Sequence, residues 1–267
     1  MDDCLHHTDQ NFMILKNQKI LNVGKFTFES VSNDYIKQLI DNLDDGSSPS
    51  CVGIPTKILK SSTKMVNYFT KLINQCILKG EIPEDWKLAV VTPLYKNKGL
   101  DLDINNYRGI SVISPIAKVF EKVLASQIIS YLENYKILIP NQHGFRSFHS
   151  CETALHELLT NSNNARNNSL VSLLMFIDFR KAFDLVDSKL LIRKLKHFGV
   201  DVSDLKLIQD YFTDRFQTVN LNGSMSSKEE IKLGVPQGTF LGPAAIFNFY
   251  QRSSLNAKKC QINPLCR

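Results

Sequence analysis

Three aspartates lie near one another in the stretch LMFIDFRKAFDLVD of this 267-residue chain. Asp178 ends an almost wholly apolar run, and burying an ionised carboxylate is costly unless a positive group pairs with it. Asp178 therefore indicates either a ligand for a hard cation such as Mg²⁺, which takes carboxylate and phosphate oxygens, or a cap on the following turn. Asp187 precedes a helical pattern and is interpreted as its N-cap, and Asp184 as a structural residue.

The stretch GVPQGTFLGP carries a second set of candidate residues, Gln237 and Gly238. Two glycines around Pro-Gln let the backbone approach a ligand closely, and the Gln237 amide can hydrogen-bond a base or a sugar. The alternative is a tight turn that leads into a helix.

Two cations, Lys96 and Arg108, lie beside the polar loop of a predicted hairpin. Such residues can pair with a triphosphate, although solvated basic residues on a hairpin are equally ordinary. The histidines and the cysteine of HGFRSFHSCETALH match no standard zinc spacing.

The elements that must position these residues can be predicted from periodicity. The runs Lys87–Tyr95 and Tyr107–Ile113 flank a polar loop and predict a long-looped hairpin. The apolar run from Leu170 to Phe179 predicts a strand covered on both faces. Alternation around Asn222 and Gly223 predicts a second hairpin.

Helical spacing of apolar residues predicts the remaining elements. Ser32, Ser114 and Asp187 are the expected N-caps, and Gly80 and Gly199 are the expected stops. The predicted helices contain NDYIKQLIDNL, TKMVNYFTKLINQCILK, PIAKVFEKVLASQIISYLEN, CETALHELLT, SKLLIRKLKHF, SDLKLIQDYF and TFLGPAAIFNFY.

Composition sets broad limits on the function. The net charge of +6 is compatible with a nucleic-acid partner and equally with scattered solubilising charge. The six cysteines form no CxxC pair and no signal peptide opens the chain, so we expect an intracellular protein with free thiols and no disulfide-linked partner. No apolar run is long enough to span a membrane, and the sequence does not distinguish cytoplasm from nucleus.

Five motifs in this order resemble the reverse transcriptase domain of non-LTR (LINE-type) retrotransposons. The matching stretches are IPEDWKLAVVTPLYKNKG, NYRGISVISPIAKVFEKVLASQI, NQHGFRSFHSCETAL, FIDFRKAFDLVDSKLL and GVPQGTFLGP. They cover roughly residues 25–250, and it is their order that makes the resemblance specific.

The resemblance implies an α+β fold, with the fingers and a partial palm of a right-hand polymerase and an antiparallel palm sheet with helices. Residues 25–168 would form the fingers-like region and residues 169–250 the partial palm. Residues 1–24 would be a lead and residues 251–267 a tail that is off the family pattern. The thumb is expected to be absent.

The resemblance also implies a function, namely RNA-directed DNA synthesis from dNTPs, an RNA template and a DNA primer, with Mg²⁺. Asp178 and the backbone carbonyl of Phe179 would bind the metal, and Phe183 would lie under the sugar. Gln237 and Gly238 would line the nucleotide pocket. The residues of the fingers-like region would be Lys96 and Arg108 at the triphosphate and Arg146 near the template.

Two departures from the family pattern affect these expectations. Gly109 replaces the proline of NYRPIS, and no YxDD-like box, which would supply further carboxylates, occurs in the 267 residues. One aspartate cannot hold two Mg²⁺ ions, so we expect this chain to be inactive as given. The alternatives are a nucleic-acid-binding remnant without catalysis and the translation of a retroelement pseudogene.

Overall fold

The computed structural model describes residues 24–46, 53–176, 178 and 182–242, and these form helices and a small sheet. The combination confirms the predicted α+β class. The helices are α1 Asn33–Asp41, α2 Thr56–Ser61, α3 Thr63–Lys79, α4 Pro115–Asn134, α5 Cys151–Asn167, α6 Ser188–His197 and α7 Val202–Phe212. The strands are β1 Leu88–Tyr95, β2 Tyr107–Val112, β3 Phe216–Leu221, β4 Ser224–Met225 and β5 Glu229–Glu230, and short 3-10 turns cover Glu84–Lys87 and Ile104–Asn106.

The helix ends follow local chemistry, as the sequence predicts. Side-chain oxygens of Ser32, Ser114 and Asp187 accept backbone N–H groups in the first turns of α1, α4 and α6. Gly80 ends α3 with a φ of 68°, a left-handed conformation that glycine adopts without strain. The predicted caps at these positions are confirmed.

The sheet has the strand order β2-β1-β3-β4, with β5 also pairing with β3. Strands β1 and β2 form the predicted long-looped hairpin, in register from Val90 opposite Val112 to Tyr95 opposite Tyr107. The second predicted hairpin is also confirmed, because β3 and β4 pair around Asn222 and Gly223. Their φ values of 51° and 88° are those of a two-residue hairpin turn.

One strand pair differs from the expected antiparallel palm sheet. Strand β1 lies parallel to β3, with Leu88 opposite Phe216 and Val91 opposite Val219, so the sheet is mixed. A parallel pair needs a long crossover connection, and helices α4 to α7 lie between these two strands in the chain. This pairing joins the predicted fingers-like region to the predicted palm.

The hydrophobic core is built around α4. This helix buries apolar side chains on most of its circumference, including Phe120, Val123 and Leu124, which are 0–1% exposed. Helices α1, α3, α6 and α7 contribute apolar side chains to the same cluster. Helix α5, by contrast, buries none of its residues. Helix α4 is therefore held rigidly by the close packing of the core around it.

The strand predicted from Leu170 to Phe179 is wrong for the part that the structure describes. Residues 170–176 belong to no helix or strand, and Val171, Leu173 and Phe176 are 96%, 89% and 84% exposed. A strand needs neighbours for its backbone hydrogen bonds. Among the described residues, every strand pair involves β1 to β5, so this apolar run finds no place in the sheet.

Several predictions lie outside the described residues: the lead up to residue 23, Phe179, the helix of TFLGPAAIFNFY beyond residue 242, and the tail at 251–267. The boundaries between the lead, fingers-like region, palm and tail stay predictions. In the described part of the chain, no helix combines the length and apolar character needed to cross a membrane.

Candidate active site

Residues 234–241, here called the pocket loop, lie against the segment 183–186 of the stretch that contains the three aspartates. The Gly234 N–H donates to the Val186 carbonyl at 2.9 Å, and the Val235 N–H donates to the Phe183 carbonyl at 2.9 Å. Gly234 has a φ of 89°, and a Cβ there would lie 2.8 Å from the Cα of Asp184. Only glycine fits so close to another backbone in this conformation.

Gln237 connects the pocket loop to two neighbours. Its Nε2 donates to Oδ1 of Asp184 at 3.2 Å, and its carbonyl accepts the N–H of Ser111 in β2 at 2.9 Å. Gly238 follows with a φ of 94°, and a Cβ there would lie 3.7 Å from Cγ2 of Ile110. The pocket loop therefore joins the β1–β2 hairpin to the segment 183–186.

The exposed face of the hairpin carries both predicted cations. Arg108 of β2 lies opposite Leu94 of β1. Because side chains alternate along a strand, Lys96, two residues after Leu94, lies on the same face. Ile110, which neighbours the pocket loop, is also on this face, about 7 Å along β2 from Arg108. Lys96 Nζ donates to the Asn105 carbonyl at 2.7 Å, which holds it across the hairpin loop.

The structure thus places Gly238 beside Ile110 of the hairpin face and Gln237 between β2 and Asp184, while Phe183 contacts the pocket loop through its carbonyl and Val235. Phe183 is partly buried and packs against the core. Asp178 is exposed, and no group of three or more His, Cys, Asp or Glu side chains in the described ranges could hold a metal ion. A Mg²⁺ ion at Asp178 would therefore need ligands in addition to the described side chains, and Phe179 lies outside the described residues.

Residues 95–263 match the reverse transcriptase (RNA-dependent DNA polymerase) family, over more than half of the chain. The chain belongs to this family. The resemblance found in the sequence motifs is thereby confirmed.

Three curated relatives of this chain come from transposons and mobile elements of Drosophila melanogaster. It is 30% identical to the probable RNA-directed DNA polymerase from transposon X-element, over 66% of this chain and 19% of the relative. It is 29% identical to the probable enzyme from transposon BS, over 78% and 23%, and 26% identical to the polymerase from mobile element jockey, over 80% and 23%. The chain spans about a fifth of the length of these relatives.

Arg146, which the family motif assigns to the template, has an intramolecular role in this reverse transcriptase chain. Its Nε and Nη2 donate to both carboxylate oxygens of Glu133 at 2.7 Å, and Nη1 donates to the carbonyls of Ile139 and Gln142. These hydrogen bonds hold the pKa of Glu133 below its usual range. Arg146 thus fixes the connection between α4 and α5, and its contact with nucleic acid stays a prediction.

The histidine-rich connection before α5 is also tied by hydrogen bonds. The two ring nitrogens of His143 lie 2.8 Å from the Thr153 hydroxyl and 2.8 Å from the Glu157 carboxylate. Both partners are on α5, so this contact fastens the loop to that helix.

Sequence reasoning missed a buried carboxylate, Glu121 of α4, which is 1% exposed. Its Oε1 accepts the Tyr211 hydroxyl at 2.6 Å, and its Oε2 accepts the N–H groups of Phe240 and Leu241 at 3.0 and 3.4 Å. Burial raises the pKa of this carboxyl, against the opposing effects of Arg215 and of these donors. The missed signal was an acid within a helix whose side chains are apolar on most of its circumference.

Arg215 is the buried cation beside this carboxylate and is 2% exposed. Its guanidinium carbon lies 4.3 Å from the ring centre of Tyr211, and its Nη1 donates to the Tyr211 carbonyl at 3.2 Å. Its Nε and Nη2 have no hydrogen-bond partner within the part of the chain that the structure describes. Its positive charge opposes the rise in the Glu121 pKa that burial causes.

Proposed function

We propose that this reverse transcriptase chain supplies the deoxynucleotide-binding part of an RNA-directed DNA polymerase that acts in retrotransposition. Its substrates would be dNTPs, with an RNA template and a DNA primer. The observation that carries this proposal is the double attachment of Gln237 to Ser111 and Asp184. That attachment links the motif of Gln237 to the motifs that contain Ser111 and Asp184, which supports the proposal that the three motifs act together.

Each residue of the proposed site has a role that suits its chemistry. Lys96 and Arg108 would bind the triphosphate, because charge-assisted hydrogen bonds to phosphate are strong. Phe183 would lie under the sugar and disfavour a 2′-hydroxyl. Gln237 and Gly238 would line the pocket, where the small glycine lets a ligand approach the backbone.

Divalent metal and template residues complete the proposal. Asp178 is the proposed Mg²⁺ ligand, with the carbonyl of Phe179, and Arg146 is proposed to lie near the template. Since the 267 residues contain no YxDD-like box, we propose that this chain does not extend a primer by itself. Primer extension in Mg²⁺ tests this directly. Salt-dependent binding of primer–template without dNTP binding would favour the alternative of a binding protein without catalysis.

Calorimetric titration of the chain with dATP in Mg²⁺ tests the nucleotide site. Replacing Arg108 by alanine should weaken dATP binding about tenfold, because a hydrogen bond to a charged group contributes about 1.5–3 kcal/mol. Lys71→Ala, which removes an exposed cation from α3, is the matched control and should leave the affinity unchanged. An absence of saturable dATP binding, or equal losses in the two variants, would refute the proposed site.

A further inference from the structure

We propose that Glu121 is a positioning residue for the pocket loop: its carboxylate fixes the backbone at Phe240 and Leu241 and thereby orients Gln237 and Gly238. The inference rests on the proposed function, because it gives the loop its nucleotide-binding role. Glu121 touches neither nucleotide nor metal in this proposal.

The pocket loop is attached at three places along its length. Gly234 and Val235 bond to the segment 183–186 at the start, and Gln237 bonds to Ser111 in the middle. Glu121 holds the end, through the N–H groups of residues 240 and 241. The first two attachments use main-chain partners, whereas the third depends on the side chain of Glu121, as the further contact of Gln237 depends on the side chain of Asp184.

Glu121 is itself held rigidly. It lies on α4 among Phe120, Val123 and Leu124, all 0–1% exposed, so the helix backbone beneath it is locked in the core. The Tyr211 hydroxyl occupies Oε1 and leaves Oε2 directed at the loop. Preorganised acceptors of this kind hold a binding loop without loss of side-chain freedom when a ligand arrives.

The neighbouring residue of α4 contacts the same point of the loop. Nζ of Lys122 lies 5.3 Å from the ring centre of Phe240. Consecutive side chains of one helix therefore contact the backbone and the ring of a single loop residue. Gly238 is only two residues before this point, so little freedom remains in the intervening backbone.

The loop must end where it does for Gln237 to keep both of its contacts. The Ser111 and Asp184 contacts of Gln237 lie on different elements, 2.9 and 3.2 Å from its carbonyl oxygen and its Nε2 respectively. If residues 240 and 241 were released, the chain after Gln237 could rotate and break either contact. We therefore expect loss of the Glu121 anchor to weaken nucleotide binding without unfolding the core.

Two substitutions of Glu121 separate the effect of side-chain length from the effect of side-chain charge. Glu121→Asp keeps the charge but withdraws the oxygens by about 1.5 Å, one carbon–carbon bond. Glu121→Gln keeps the reach and one acceptor oxygen for the loop, while its amide can donate to the Tyr211 oxygen. Tyr211→Phe is the comparison variant: it removes the hydrogen bond to Oε1 of Glu121 and a hydrogen bond to the Thr239 side chain, but it keeps Oε2 and both N–H groups of residues 240 and 241.

Hydrogen exchange at the Phe240 and Leu241 amides reports the anchor independently of activity. In Glu121→Asp these amides should exchange about tenfold faster, in line with the loss of a hydrogen bond to a charged group. Glu121→Gln and Tyr211→Phe should stay within about threefold of the wild type. Faster exchange in Glu121→Gln than in Glu121→Asp would overturn the proposal, because charge rather than reach would then matter.

The wild type alone provides a check that does not depend on any variant folding. If its Phe240 and Leu241 amides exchange at the rate of unbonded surface amides, the anchor does not exist. Titration with dATP then links the anchor to binding: Glu121→Asp should raise the Kd about tenfold and Tyr211→Phe should not. A wild type that binds no dATP would refute the proposed function, while the exchange data would still decide whether Glu121 fixes the loop.

Discussion

At the scale of single residues, the polar side chains differ in how far along the sequence their hydrogen-bond partners lie. Asp187 caps the helix that begins next to it, and that role was predictable because its donors are two and three residues away. Arg146 and Glu121 have partners 13 and 90–120 residues away. Sequence patterns indicate which residue types can pair, but long-range partners follow only from the packed fold.

The Arg146–Glu133 pair makes stability depend on pH. The guanidinium lowers the pKa of the Glu133 carboxyl in the folded state. A lowered carboxyl pKa contributes stability above the ordinary value of 4.5, and this contribution is lost as the pH falls through the folded-state pKa. Arg146→Gln should therefore cost about 1–3 kcal/mol in the free energy of unfolding at pH 7.

Urea unfolding as a function of pH measures this effect. The difference between wild type and Arg146→Gln should shrink as the pH falls below 4.5, since protonated Glu133 no longer attracts the guanidinium. Glu133→Gln is the control: it should cost less than Arg146→Gln at pH 7, because Arg146 keeps its bonds to the Ile139 and Gln142 carbonyls, and the double variant should add little to Arg146→Gln. Additive losses would show that the two side chains do not act as a pair.

At the scale of elements, the hairpins and helix ends were predictable, whereas the association of the strands was not. Asn222 and Gly223 encode their turn locally, and capping residues encode the starts of α1, α4 and α6. The parallel pairing of β1 with β3 depends on everything that folds between them. Sequence periodicity contains no direct information about such a pair.

Two glycines separate two effects on stability. One is the strain of a left-handed backbone conformation, and the other is the clash of an added Cβ with a neighbouring backbone. Gly223 and Gly234 have nearly equal φ values of 88° and 89°. A Cβ at Gly223 would meet nothing within 4 Å, whereas one at Gly234 would lie 2.8 Å from backbone atoms of Phe183 and Asp184. Gly223→Ala should cost about 1–2 kcal/mol of stability for the left-handed conformation alone.

Gly234→Ala should cost more than Gly223→Ala and should also abolish dATP binding, because the pocket loop cannot keep its place against the segment 183–186. Thermal unfolding and dATP titration measure the two effects. Gly144→Ala is the control, since a Cβ there meets its nearest neighbour at an ordinary 3.6 Å and the φ is not left-handed. Equal behaviour of the two left-handed variants would mean that the close approach at Gly234 has no importance for the site.

At the scale of the whole molecule, the apolar residues 170–176 lie outside the described helices and sheet. The apolar run before Asp178 reads as a buried strand, because its composition is that of a strand covered on both faces. The described sheet, however, is completed by β1 to β5 without it. The composition of the run indicates that its side chains need to be covered on both faces. Whether other strands lie beside the run to cover it depends on how the whole chain folds.

Exposure of this run predicts association through it. Val171, Leu173 and Phe176 are 84–96% exposed within six consecutive residues, and contiguous apolar surface of this kind promotes aggregation. Replacing all three by serine should reduce hydrophobic-dye binding and self-association in light scattering. The free energy of unfolding should change by less than about 0.5 kcal/mol per site, because exposed side chains contribute little packing.

Leu155→Ser/Leu159→Ser, on the surface of α5 at 56% and 51% exposure, is the control and should reduce both signals less. A large loss of stability in the triple variant would mean that these side chains are buried in solution, as the strand prediction required.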